Sequence, residues 1–254
     1  MSGFAPFLRK ELAETLHTWR LWVLPGFVLF SAITAPILTY LTPLLIKRFG
    51  SGAQGIVITV GTPTATDAYI SYLGNLGQLV ALALVIAYGG IVSGELRGGQ
   101  GALALAKPLS RTAYVLAKWL SQLLVLLAAA GLGAGVCVAV TTALFGAGPV
   151  WQTAAGTALW TAFAAVLLGA MVLISAFMSS PIAASGVGVA VYAALAILGQ
   201  FSGLSRATPA GLLAAGTALL HGQTVYWVLP LTTALAAMAL CLAVAVWRFS
   251  RREI

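Results

Sequence analysis

Charge is what this sequence has least of. Asp and Glu together occur five times in 254 residues, Lys and Arg thirteen times, and charged side chains make up 7% of the chain. A soluble domain carries about a quarter charged residues, so a water-solvated globular fold is excluded. Hydrophobic residues reach 61%, and that much apolar surface needs lipid as its solvent. The stretches Leu21–Ile46, Ala68–Gly94, Trp119–Ser205 and Ala207–Trp247 contain no Asp, Glu, Lys or Arg. A spanning helix takes about 20 such residues to cross a hydrocarbon core about 30 Å thick. The expectation is an all-α, polytopic membrane protein in contact with the lipid bilayer.

Other scarcities narrow the chemistry. The two cysteines, Cys137 and Cys241, each sit inside an apolar run, which suits buried free thiols and excludes a disulfide scaffold. There are two histidines, His17 and His221, and no H-E-x-x-H pair to hold zinc. A Ser-His hydrolase would have Asp67 alone to orient a base near His221. No Gly-Lys dipeptide exists, so the phosphate loop of a nucleotide hydrolase is missing. None of the acids Glu11, Glu14, Asp67, Glu95 and Glu253 follows an apolar strand in a position to hold Mg²⁺. The triplet Gly98-Gly99-Gln100 therefore has no nucleotide site around it. No ionisable group lies in mid-span, which argues against the side-chain relay of a proton- or ion-driven transporter. Ion sites built from backbone carbonyls stay open.

Glycine and proline divide the apolar runs. The turn signals Gly146–Pro149 and Ser179–Pro181 split the longest run. Spans are expected near 21–46, 70–93, 114–145, 151–178, 181–201 and 226–247. The segment 207–220 is too short to cross and reads as re-entrant or interfacial. With six spans and both termini inside, Arg9, Lys10, Arg20, Arg97, Lys107, Arg111, Lys118, Arg248, Arg251 and Arg252 are cytoplasmic, against Lys47, Arg48 and Arg206 outside. That is the bias the positive-inside rule requires. It also accounts for the net charge of +8 without nucleic acid, since the cations border spans. Trp19, Trp22, Trp119 and Trp247 fall at the inner interface, Trp151 and Trp227 at the outer one. Arg9, Lys10, Glu11 and Glu14 interrupt any early apolar region, so a cleavable signal peptide is not expected. Residues 1–20 read instead as an amphipathic interfacial helix. Phe4, Phe7, Leu8, Leu12, Leu16 and Trp19 line one face, with Arg9, Lys10, Glu14, His17 and Arg20 on the other. The six-span domain is then 21–254.

Between the second and third spans lies Gly94–Arg111, "GELRGGQGALALAKPLSR". Gly98, Gly99 and Gly101 permit a sharp turn. Ala102–Ala106 favours a short helix, and Pro108 biases Lys107 away from the α region and ends it. Ser110 suits the N-cap of a helix running through Tyr114 and Lys118 into span three. Four glycines and a proline-broken helix are more shape than a topology-setting basic loop requires.

Glu95, followed by "GGQGALALAKPLSRTAYVLAKWL", resembles the signature of ABC-2 type ABC transporter permeases: a Glu after span two, a tight turn, a short apolar helix, Pro-x-Ser-Arg, then a Lys entering span three. Gln100-Gly101 stands where many members have Gly-Thr. An elbow helix, six spans, both termini inside and a broken apolar segment before span six agree with that family's plan. The resemblance implies a non-catalytic permease subunit of a bacterial exporter in the cytoplasmic (inner) membrane. A second permease copy would pair with it, as a homodimer or a heterodimer. Two cytoplasmic ABC ATPase subunits would carry ATP and Mg²⁺, leaving no cofactor on this chain. The 94–111 region would be the coupling element. Glu95, Arg97, Lys107 and Arg111 would supply polar contacts, Gly98, Gly99 and Pro108 the shape, and Ser110 the helix start.

Two other readings make different predictions. A stand-alone secondary transporter or channel would move ions by itself, and a membrane-embedded hydrolase would react with serine- or metal-directed probes. The outer loop Lys47–Tyr69 is too small for a receptor domain. Met171, Met178, Met238 and His221 are too scattered for a soft-metal site.

Overall fold

The computed structural model describes residues 4–16, 19–49, 61–94 and 110–251, and every regular element among them is helical. In chain order these are α1 (Phe4–Leu16), α2 (Trp19–Phe49), α3 (Ala65–Asn75), a π-helical turn (Leu76–Val80), α4 (Ala81–Tyr88), α5 (Arg111–Phe145), α6 (Val150–Phe177), α7 (Pro181–Gln200), α8 (Ser202–Ser205), α9 (Gly211–Leu220) and α10 (Val228–Ser250). Six units are long and apolar enough to cross a membrane: Trp22–Ile46, Ala65–Tyr88, Arg111–Phe145, Val150–Phe177, Pro181–Gln200 and Val228–Ser250. The second of these joins α3, the π turn and α4.

Local chemistry sets the boundaries. The second span starts at Ala65, earlier than the apolar pattern suggests, because Thr64 and Asp67 form a reciprocal capping box. The Thr64 amide donates to the Asp67 carboxylate at 2.8 Å, and the Asp67 amide donates back to Thr64 Oγ1 at 3.4 Å. This occupies two of the helix's orphan donors. Asp67 is thus a capping residue rather than an orienting acid. The same span ends at Tyr88 rather than 93, where Gly89 and Gly90 turn the chain. Gly146, at φ 81, closes α5 in a conformation that glycine adopts without steric cost. Ser180 accepts from the Ala183 amide and Pro181 opens α7, an arrangement in which the missing N–H does no harm. In α2 the helix continues through Pro25, Pro36 and Pro43, since in hydrocarbon no water competes for the backbone.

The bundle is organised around α6, whose span is the most buried of the six at 67%, and Trp160 and Phe163 lie wholly inside. α10, α9, α5 and α7 all pack against it. The segment 207–220 contains the ten-residue helix α9, which leans on α6 through two glycines. A Cβ on Gly156 would come within 3.2 Å of the Gly216 carbonyl and 2.7 Å of Leu73, so both backbones approach as small-residue contacts in membranes allow. Leu212, Ala215 and Leu220 of α9 are buried.

Candidate functional site

The alternation of the six spans brings α1, the start of α5 and the end of α10 to one end of the bundle. This end, the basic end, carries Arg9, Lys10, Arg111, Lys118, Arg248 and Arg251. Glu95, Arg97, Gly98, Gly99, Lys107 and Pro108 lie outside the described residues. Ser110, Arg111 and Gly94 are described, and they mark the two feet of the connection.

The downstream foot is a three-helix knot. Ser110 caps α5, its hydroxyl accepting from the Ala113 amide at 3.2 Å. Arg111 then reaches across to α10, where its Nη1 donates to the Phe249 carbonyl at 3.2 Å and the Ser250 carbonyl at 2.8 Å. A guanidinium here satisfies orphan carbonyls and complements the negative end of the α10 dipole. One turn on, Tyr114 stacks on Phe249 with ring centroids 5.1 Å apart and 5° between planes, and Phe7 of α1 packs against the same Tyr114 ring, tilted, at 5.6 Å. One further turn on, Lys118 Nζ meets Glu11 Oε2 at 2.8 Å, with side-chain exposures of 2% and 5%. The ammonium also lies 5.1 Å from the Tyr114 ring centroid. A buried pair of this kind specifies geometry more than it adds stability. It fixes α1 to α5 in one register.

The upstream foot is held as tightly. Ser175 Oγ, on α6, accepts from the Val92 and Ser93 amides at 3.0 Å each and donates to Ser93 Oγ at 3.2 Å. Gly89 faces α7 at backbone contact distance: a Cβ there would lie 2.8 Å from the Pro181 carbonyl and collide with Ser185 Oγ. Ser185 in turn donates to the Ile86 carbonyl at 3.0 Å. Displacement of either foot is therefore passed to other helices: to α6 and α7 upstream, to α1 and α10 downstream.

Sequence reasoning missed two parts of this arrangement. Lys118 and Glu11 read as interfacial charges, although Glu11 stands four residues after Phe7 and so on the apolar side of α1. The engagement of Arg111 Nη1 by the end of α10 was the second, since the sequence offers Arg111 only as a polar contact of the connection. Around the knot, Arg248 lies 5.4 Å from the Phe177 ring and Arg251 4.5 Å from the Trp247 ring, cation–π pairs that suit a membrane–water interface.

Elsewhere, a groove of about 690 Å³ runs between α5 and α6. Its lining includes Gly131, Gly135, Ala154 and Ala158, and the hydroxyls of Thr157 and Thr161 donate to carbonyls of their own helix at 2.9 and 2.7 Å. Such a groove suits aliphatic matter. In mid-span, the π turn Leu76–Val80 frees backbone carbonyls, and Tyr192 of α7 donates its hydroxyl to the Gly77 carbonyl at 2.7 Å. His221 is exposed beyond α9.

Comparison with known proteins agrees with the membrane assignment. The chain is 25% identical over 256 residues to the uncharacterized transmembrane protein YxlG of Bacillus subtilis (strain 168), covering 100% of this chain and 99% of that one. The chain is a multi-pass membrane protein, and because residues 44–254 match the family model described as Protein of unknown function (DUF2705), it belongs to that family.

Proposed function

We propose that the chain is the permease subunit of a bacterial ABC exporter, with both termini in the cytoplasm, coupled through residues 94–111 to a separate ATPase. The observation that carries this reading is the pair of anchored feet. A surface loop that only sets topology needs no buried ion pair beneath it. Here Ser175 and Gly89 brace one foot, while Arg111 and the Glu11–Lys118 pair tie the other to the first and last helices. A push on the connection would move four helices together, as a coupling element must. The sequence motif from Glu95 to Lys118 supports the same reading, and so does the excess of cations at this end.

In this scheme α1 is the elbow helix and the chain works as two copies with two ATPase subunits. The ATPase holds ATP and Mg²⁺, and its closure drives the feet. Within the described spans the ionisable side chains other than the cysteine thiols and tyrosines sit toward helix ends, at Asp67, Arg111, Lys118 and Arg248. That distribution gives a proton relay little to work with and favours an external source of energy over a stand-alone secondary transporter.

The test is co-expression with an ABC ATPase from the same organism, followed by purification and reconstitution. The two should copurify, and Glu95→Lys should abolish stimulation of ATP hydrolysis while the chain still inserts and folds. Ion-gradient-driven flux in liposomes holding this chain alone, with no ATPase bound, would refute the proposal.

A further inference from the structure

The π turn has a consequence on the surface of the second span. Ser71 and Gln78 are exposed there and Asn75 is half-exposed, all three on one face. Gln78 lies near the midpoint of Ala65–Tyr88, where the surrounding solvent is hydrocarbon. Among the described residues neither the Asn75 nor the Gln78 carboxamide has a hydrogen-bond partner, while Ser71 Oγ accepts from Thr39 Oγ1 at 3.4 Å. The Gly77 carbonyl that the π turn frees is already taken by Tyr192. An amide left unpaired in lipid is costly, so a face carrying two of them is not a lipid face.

The neighbourhood says what covers it. A Cβ on Gly74, between Ser71 and Asn75, would meet nothing within 4 Å, so another helix can approach the backbone closely. Beside the strip stands α7, the least buried of the six spans at 11%. It shows Ala183, Gly186, Ala190 and Ala193 outward. Away from these small residues α7 turns Ile182 and Ile197 outward, as α2 does Phe30, Ile33 and Leu38, the marks of lipid-facing surface. Carboxamides are both donors and acceptors, and therefore self-complementary. A two-fold axis through the strip would bring each Gln78 and Asn75 against the same groups of a copy, which is the isologous contact a symmetric dimer needs.

We infer that Ser71, Gly74, Asn75 and Gln78 form a mid-membrane contact that is filled by the same strip of a second copy of this chain. The inference gives a location to the pairing in the proposed function and rests on its two-copy part. It does not depend on the ATPase.

The experiment is cysteine cross-linking in membranes, in a Cys137→Ala/Cys241→Ala background whose folding is checked by monodisperse elution. Asn75→Cys and Gln78→Cys should give a disulfide-linked band at twice the 26.1 kDa chain mass on mild oxidation. Leu132→Cys, 65% exposed on α5, should not. Gln78→Cys should also resist a membrane-impermeant maleimide. With native cysteines, Gln78→Leu should raise the dimer dissociation constant in detergent roughly ten-fold, and Gln78→Asn less, since interhelical hydrogen bonds in membranes are individually modest. Linkage at position 78 no greater than at 132 would overturn the inference, as would ready maleimide labelling, which would mark a water-filled path. If the chain is dimeric by light scattering yet position 78 stays unlinked, the strip is wrong and the paired permease survives. A monodisperse monomer in bilayer nanodiscs at high loading would sink both.

Discussion

Removing the Lys118 ammonium gives the most informative perturbation of the knot at the basic end. Lys118→Met keeps the length and most of the volume of the side chain but leaves Glu11 buried at 5% exposure, with Lys10 3.7 Å from its other oxygen. Breaking a buried pair from one side costs about 3–5 kcal/mol, and Lys10, itself 53% exposed, offsets little of that because its charge is screened by water. Glu11→Gln instead leaves the ammonium a neutral amide oxygen in place of the carboxylate. The Tyr114 face 5.1 Å away recovers up to about 2 kcal/mol, so this variant should be the milder, near 2–3 kcal/mol. The loss has a ceiling, because α1 can detach and return both groups to water before the six spans separate. The double variant Glu11→Leu/Lys118→Met removes both charges and should lie within about 1 kcal/mol of the parent, or above it. The assay is a double-mutant cycle on thermal unfolding in detergent, joined to the accessibility of a cysteine placed at Phe7. Single variants should expose that thiol at temperatures where parent and double variant protect it. Singles costing under about 0.5 kcal/mol, or two costs that simply add, would refute the reasoning.

Three further outcomes follow from the same geometry. Arg111→Gln removes the charged donor to the Phe249 and Ser250 carbonyls; it should cost about 1–2 kcal/mol and speed tryptic cleavage at Arg248 several-fold, read by mass spectrometry. Ser110→Ala should lower stability by about 1 kcal/mol through the lost N-cap, with Ser110→Asp close to neutral, measured by thermal shift. Gly89→Ala should destabilise by about 1–3 kcal/mol because its methyl meets Pro181 and Ser185, whereas Gly94→Ala, with nothing within 4 Å, should leave the melting temperature unchanged.

Much of the scaffold was legible in the sequence because lipid imposes its own grammar on composition. The charge-free runs and the breakers at Gly146–Pro149 and Ser179–Pro181 locate five of the six spans within a few residues of their helices. Ser110 as N-cap of the third span follows from side-chain chemistry alone. The start of the second span was less legible, since a capping box at Thr64–Asp67 outweighs the apolar pattern that begins later. The knot was hidden for a different reason. Lys118 and Glu11 are 107 residues apart, and each has an adequate local explanation as an interfacial charge. Only the position of Glu11 four residues after Phe7 hinted that it turns inward. The π turn has no compositional signal, although the spacing Ser71, Asn75, Gln78 inside an apolar run marks the face that it presents.

Coupling to a separate ATPase is tested most directly by measuring ATP hydrolysis in proteoliposomes holding this chain together with an ABC ATPase from the same organism. The account predicts a stable complex with two copies of each chain. Its hydrolysis should respond to the permease and lose that response on Glu95→Lys. An ATPase whose rate is the same with and without this chain, beside gradient-driven flux through the chain alone, would contradict it.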